Sequence, residues 1–270
     1  MTQTSISTVV VDGQGIRVGI KKGARPALLV FNGIGANFEL LEPFTQALDG
    51  VETIVFDVPG VGGSAPPLSP YRLSGLARLS ARLLDQLGYT DAVDVLGVSW
   101  GGVLAQQFAR TCQPRCRRLI LAATTPGVLM VPGSPRVLAK LLDPRRYEDP
   151  QYFQKIAPSL YGGDVRRNPD FIATHGASLL SPHWLGYLYQ QLAFWGWSSL
   201  PWLPFLRQPT LVLSGNDDPL VPLINGRILA RLIPHARLEV IDDGHLFLMS
   251  SPQRVVPMIR EFLSGRAVAA

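Results

Sequence analysis

Six short apolar runs recur along the chain, separated by stretches of a different periodicity, and this alternation does most to limit the folds open to it. The runs are "ALLVF" (Ala27 to Phe31), "TIVFD" (Thr53 to Asp57), "VDVLG" (Val93 to Gly97), "RLILAA" (Arg118 to Ala123), "TLVLSG" (Thr210 to Gly215) and "RLEVID" (Arg237 to Asp242). Most are nearly continuous in apolar residues, as strands covered on both faces are. Amphipathic stretches at Leu73 to Leu87, Gly102 to Arg110 and Pro252 to Leu263 have the period of helices. Parallel strands need such crossovers. The pattern predicts an α/β chain with a mostly parallel, doubly wound sheet.

The rhythm stops between Pro126 and Arg207 and resumes at Thr210. That interval has short helical patterns and many prolines but no convincing strand. It predicts a core of residues 1–125 and 208–270 interrupted by a helical cap, or lid, over 126–207. The cap carries 13 of the chain's 23 aromatic residues, which either pack it onto the core or line an apolar cleft at the junction. From Phe171 to Leu206 there is no Asp, Glu, Lys or Arg. Pro182, Pro201 and Pro204 interrupt that stretch, so no transmembrane segment is expected.

A 270-residue chain that is 47% hydrophobic and 17% charged can bury one substantial core. Its net charge of +5 is scattered over clusters such as Arg115, Arg117 and Arg118, without the basic and aromatic stripe of a nucleic-acid module. No nucleic-acid partner is expected. Cys112 and Cys116 lack the companions of a metal set and the spacing of a redox pair, and are read as reduced structural thiols. The N-terminal "MTQTSISTVVVDGQG" has no basic region followed by an apolar block, so a cytoplasmic location is expected.

The stretch "GVSWGG", Gly97 to Gly102, lies between a strand-like and a helix-like run. Small neighbours let the backbone bend sharply there and lift the Ser99 hydroxyl out of the fold. Gly97-Val98-Ser99-Trp100-Gly101 fits G-x-S-x-G in the strand-to-helix context that gives the motif meaning. A serine hydroxyl is a weak nucleophile without a base, and the base needs an acid to orient it.

There are four histidines. His175 and His183 belong to the cap. His235 precedes the strand from Arg237 and falls on the wrong edge of a parallel sheet, whereas His245 follows that strand, at the edge where Ser99 lies. His245 is therefore the candidate base, with Gly244 letting its loop turn in. The acid is expected after the strand ending at Gly215, where "GNDDPLVP" offers both Asp217 and Asp218, and spacing does not choose between them. Donors for a developing oxyanion are expected from the main chain of Trp100, directly after the serine, and of Ile34 in "NGIG".

Two rival glycine motifs fail. "VFNGIGANF" loosely imitates a dinucleotide site, but Phe38 stands where a third small residue is needed. "DVPGVGGS" lacks the Lys-Ser/Thr ending of a phosphate loop.

Taken together, "FNGIGAN", "FDVPGVGGS", "GVSWGG", "GNDDPLVP" and "DDGHLFL" resemble the α/β-hydrolase superfamily, and more narrowly the bacterial intracellular depolymerases of medium-chain-length poly(3-hydroxyalkanoate). The likeness runs over nearly the whole chain, including "VPGSPRVL", "DPRRY" and "APSLYGG" of the cap. It implies an α/β-hydrolase fold with Ser99 as nucleophile, Asp218 as acid, His245 as base, and Ile34 and Trp100 as oxyanion donors. Asn32 stands where many superfamily members have histidine, and reads as a mark of the subgroup. The resemblance implies hydrolysis of polyester granules to 3-hydroxyacids or oligomers, without metal or organic cofactor.

An uncharged, aromatic cap suits such a substrate, because it lowers the desolvation cost of docking a water-insoluble polyester. Substrate contacts are expected from Asn32, Trp184, Tyr187, Trp195 and Trp197. The alternatives are a carboxylesterase or thioesterase acting on small soluble acyl compounds with the same three residues, and a granule-binding scaffold without chemistry. Halide release is disfavoured, since its nucleophile would be Asp at position 99.

Overall fold

The computed structural model describes residues 3–143, 145–168, 170–176 and 184–265. Its eight strands are β1 (Thr4–Val11), β2 (Gln14–Lys21), β3 (Ala24–Phe31), β4 (Val51–Phe56), β5 (Val93–Val98), β6 (Cys116–Ala122), β7 (Thr210–Gly215) and β8 (Ala236–Ile241). They form one sheet in the order β1-β2-β4-β3-β5-β6-β7-β8. All neighbours from β4 to β8 pair in parallel, while β1 and β2 are antiparallel and β2 joins β4 antiparallel. The six apolar runs became β3 to β8; the leading hairpin is an addition to them.

That hairpin has a local cause. Val11 pairs with Gln14 across the two-residue turn Asp12-Gly13, whose φ angles are 52° and 78°. Positive φ at both positions is what a tight hairpin turn needs, and Asp-Gly supplies it readily.

Side chains on successive strand residues point to opposite faces, and each face of the sheet has its own packed layer. Leu28, Val30 and Leu96 meet Phe44, Phe247, Val255 and Ile259 on one side, whereas Leu29, Phe31 and Val95 meet Leu76, Val103, Phe108 and Leu229 on the other. The first side is covered by α1 (Glu42–Ala47), α11 (Phe247–Ser250) and α12 (Pro252–Ser264). The second is covered by α2 (Leu73–Gln86), α3 (Trp100–Thr111) and α10 (Leu223–Leu232). The helix α10 is a crossover beyond the three expected stretches.

Between β6 and β7 run α4 (Pro135–Leu142), α5 (Arg145–Glu148), α6 (Pro150–Tyr161), α7 (Gly163–Arg167), α8 (Asp170–His175) and α9 (Trp184–Phe194). Only a single antiparallel bridge, Gly127 to Ser198, relieves the helical character of this segment among the described residues. Phe153, Ile156 and Leu160 of α6 join the first core layer. Among the described residues, no helix is long and apolar enough to cross a membrane. Cys112 and Cys116 are free thiols, and burial pushes the Cys116 thiol well up.

Candidate active site

Ser99 sits in the turn between β5 and α3 with φ 55° and ψ −121°, a conformation that L-residues rarely adopt. Such a backbone costs on the order of 1–3 kcal/mol and persists only where its surroundings enforce it. Ser99 N–H donates to the Ala122 carbonyl at 2.9 Å, and the Ser99 carbonyl accepts from Gly102 N–H at 2.9 Å and from the Thr124 hydroxyl at 2.6 Å. The glycines around it make room rather than flexibility. A Cβ at Gly97 would lie 2.2 Å from the Gly101 carbonyl oxygen, and one at Gly101 would lie 2.2 Å from that of Phe31. Helix and strand therefore approach backbone to backbone, with the serine at the apex.

His245 follows β8, and its imidazole bridges two of the residues singled out in the sequence. Nε2 lies 3.0 Å from Ser99 Oγ, and Nδ1 lies 2.7 Å from Asp218 Oδ2. The other Asp218 oxygen accepts from the main-chain N–H groups of Leu220 and Val221, both at 2.9 Å. Asp217, left open beside it, points elsewhere: its carboxylate accepts from Gly163 N–H at 2.8 Å and from the Arg166 guanidinium. His235 stays at the far end of β8, where its carbonyl accepts from Thr210 N–H. The side chain of His175 and the whole of His183 lie outside the described residues.

The turn before His245 differs from expectation in its cause. Gly244 has no left-handed backbone, but a Cβ there would sit 2.0 Å from the Tyr161 carbonyl oxygen. That same oxygen accepts His245 N–H at 2.7 Å. Glycine is needed for close approach to the α6–α7 corner, not for a turn. The Tyr161 ring lies nearly parallel to the imidazole, at 6.3 Å between centroids.

In the loop after β3 the glycine donors on either side of Ile34 are claimed. Gly33 N–H donates to the Asn32 side-chain oxygen at 2.8 Å and Gly35 N–H to Gln190 Oε1 at 2.7 Å. Between them, Ile34 N–H has no hydrogen-bond partner among the described residues. Trp100 opens α3, so its N–H has no partner within the helix. Asn32, 7% exposed, also donates its amide to the Asn37 carbonyl, which folds the loop on itself. It shapes the loop and borders the cavity. Gln190 and Asp243 are the residues that sequence reasoning missed; the charge-free surroundings of Gln190 and the repeated aspartate in "DDGH" were the available signals.

A family model described as the alpha/beta hydrolase fold matches residues 26–252. The chain belongs to the α/β-hydrolase family. It is 53% identical over 260 residues to the poly(3-hydroxyalkanoate) depolymerase of Ectopseudomonas oleovorans, covering 95% of this chain and 91% of that one. A solved thermophilic esterase from Thermogutta terrifontis is 28% identical, with a TM-score of 0.81 and coverage of 96% of this chain and 98% of that one. A solved hydrolase from Pseudomonas aeruginosa is 26% identical, with a TM-score of 0.81 and coverage of 97% and 99%. This member of the α/β-hydrolase family is an ester hydrolase.

In this hydrolase a cavity of about 240 Å³ opens at Ser99 and His245. Its walls include Met130, Leu138, Leu141, Tyr187, Leu220 and Met249, with the buried Arg146 at one side. Of the aromatic residues expected to touch substrate, Tyr187 lines it. The tryptophans are placed differently. Trp184 and Trp195 are 74% and 82% exposed, on the outer side of α9 and just past its end. Trp197 donates its indole N–H to Gln107 Oε1 at 2.7 Å and packs edge-on against Trp202. The inner face of α9 carries Gly186, Gln190 and Ala193, with Tyr187 and Phe194 bordering the cavity, while Trp184, Leu188 and Leu192 face out.

Proposed function

We propose that this hydrolase cleaves the ester bonds of medium-chain-length poly(3-hydroxyalkanoate) through an acyl-enzyme on Ser99. The observation that carries the reading is the imidazole of His245 held between the Ser99 hydroxyl and the Asp218 carboxylate. The 53% identity to a poly(3-hydroxyalkanoate) depolymerase supports a polyester of this class as substrate.

Ser99 Oγ attacks the ester carbonyl as His245 Nε2 takes its proton. Asp218 fixes the imidazole with Nδ1 protonated and stabilises the imidazolium that forms. The carbonyl oxygen becomes an oxyanion between the N–H groups of Ile34 and Trp100, whose positions are set before the reaction begins. His245 returns the proton to the departing alkoxide, freeing the 3-hydroxyl end of one chain. Water, deprotonated by the same imidazole, then releases the acyl group as a carboxylic acid and restores Ser99. Residues 126–207 act as a cap whose underside closes the acyl cavity, where Met130, Leu138 and Leu141 suit an alkyl side chain.

The outer face of that cap suits a granule surface inside the cell. Trp184, Leu188 and Leu192 are exposed at helical spacing along one side of α9, and the exposed Trp195 follows just past its end. No charge interrupts the sequence there from Phe171 to Leu206. A contiguous apolar face of this kind is a cost in water and a gain against polyester.

Incubation with short-chain and medium-chain polymers side by side, followed by product analysis, tests the substrate. Release of 3-hydroxyacids or oligomers from the medium-chain polymer is expected, and its loss in Ser99→Ala. Activity on p-nitrophenyl esters with none on either polymer would instead make the chain an esterase of small acyl compounds.

A further inference from the structure

We propose that Gln190 is the positioning residue of the oxyanion hole, coupling the seat of α9 to the alignment of both oxyanion donors. The inference rests on the reading of Ile34 and Trp100 given above.

Gln190 is 1% exposed and faces the core from α9. Its side-chain Oε1 accepts the N–H of Gly35 at 2.7 Å, one residue past Ile34. Its main-chain carbonyl accepts the indole N–H of Trp100 at 3.0 Å. The two donors belong to segments far apart in sequence, yet a single residue of a third element holds both. The first bond fixes the peptide plane that follows Ile34, and the second fixes the side chain of the residue whose main-chain N–H is the other donor.

The helix that carries Gln190 is seated with little freedom. One turn earlier, a Cβ at Gly186 would lie 1.8 Å from the Gly60 carbonyl oxygen, so helix and core loop meet backbone to backbone. Residues four apart share a helix face, which puts Gln190 on the same side of α9 as Gly186. The Tyr189 ring meets Tyr71 edge-on at 6.2 Å. Lifting α9 therefore breaks both tethers together, and the hole is complete only with α9 down. Oxyanion donors act through their fixed aim, and loss of one whole donor costs about 10²–10³ in kcat. Misalignment of both through a lost tether is expected to cost about tenfold.

The test is Gln190→Met, which keeps length and apolar volume but removes the acceptor. Active sites are first counted with an alkyl fluorophosphonate, so that kcat is expressed per reactive serine. Labelling of the native enzyme but not of Ser99→Ala establishes the underlying reading separately; failure there sinks that reading and leaves Gln190 without a hole to position. With labelling intact, kcat per site on p-nitrophenyl hexanoate should fall about tenfold, while KM stays within about twofold. The inhibition constant of a hexyl trifluoromethyl ketone, which binds serine as an oxyanion, should rise by the same factor. Unchanged kcat and inhibition constant overturn the proposal. So does a loss of reactive sites with normal behaviour per site, which marks a structural role, or a rise in KM alone, which marks a pocket wall. Should Gln190→Met not fold, Trp100→Phe removes the other tether and is judged by the same three quantities.

Discussion

The Asp243 carboxylate accepts the main-chain N–H of Asp164 at 2.6 Å, and so fastens the loop that carries His245 to the first turn of α7. Its second oxygen accepts the hydroxyls of Ser250 and Ser251, at 3.0 and 2.7 Å. Asp243 is 1% exposed, and replacing it by alanine strands the main-chain N–H groups of Asp164 and Gly244, which both donate to its first oxygen. Asp243→Ala is expected to lower stability by about 3 kcal/mol, since each stranded donor costs about 1–3 kcal/mol. With the imidazole less firmly held, kcat should fall about tenfold with little change in KM. Urea unfolding and kinetics on a p-nitrophenyl ester measure the two effects.

Asp164 gives the same junction a pH dependence. Burial pushes its carboxyl up, but the Ser251 hydroxyl and the Arg167 and Arg254 guanidiniums outweigh that and hold it below its ordinary value of 3.8. An acid depressed in the folded state contributes stability above its unfolded pKa and loses it as pH falls through the folded value. Asp164→Asn lacks that contribution. The gap between the urea midpoints of the native and variant proteins should be constant above about pH 5 and close progressively below it. A gap that widens on acidification would have the wrong sign.

The adjacent aspartates separate cleanly. Asp218→Asn removes the acceptor 2.7 Å from His245 Nδ1 and should lower kcat about 10⁴-fold, by disturbing the tautomer that presents Nε2 to Ser99. Asp217→Asn weakens only a contact to Gly163 and Arg166 of α7, and should leave kcat within about threefold. Steady-state kinetics on both variants decide the assignment.

Much of this arrangement was legible because its parts are local. Strands buried on both faces announce themselves as apolar runs, and a strained serine between a strand and a helix needs glycine neighbours that can be read in five residues. Asp217 and Asp218 could not be separated by spacing, because which carboxylate turns inward depends on the Leu220 and Val221 N–H groups that hold it. Gln190 and Asp243 were missed for a related reason. Their partners lie 155 and 79 positions away, at Gly35 and Asp164, and no periodicity encodes such a meeting. The opening hairpin has a local signal in its Asp12-Gly13 turn, but its exposed strand lacks the apolar run that marks the others. The expectation for Trp184, Trp195 and Trp197 rests on composition, and composition says nothing about which way each side chain faces in α9 or just past its end.

The outward tryptophans lead to a prediction that separates polymer from soluble substrates. Trp184 and Trp195 are 74% and 82% exposed, so replacing both by serine is expected to change stability by no more than about 0.5 kcal/mol. Neither lines the cavity at Ser99. Hydrolysis of p-nitrophenyl butyrate should therefore change by less than about twofold. Against a suspension of medium-chain polymer the balance is different, because each indole moved from water to an apolar phase contributes about 2 kcal/mol. Adsorption at low polymer loading should fall at least about tenfold, and the rate of 3-hydroxyacid release with it. Equal losses on both substrates would place the effect in the catalytic machinery, and no loss on polymer would show that α9 does not meet the granule.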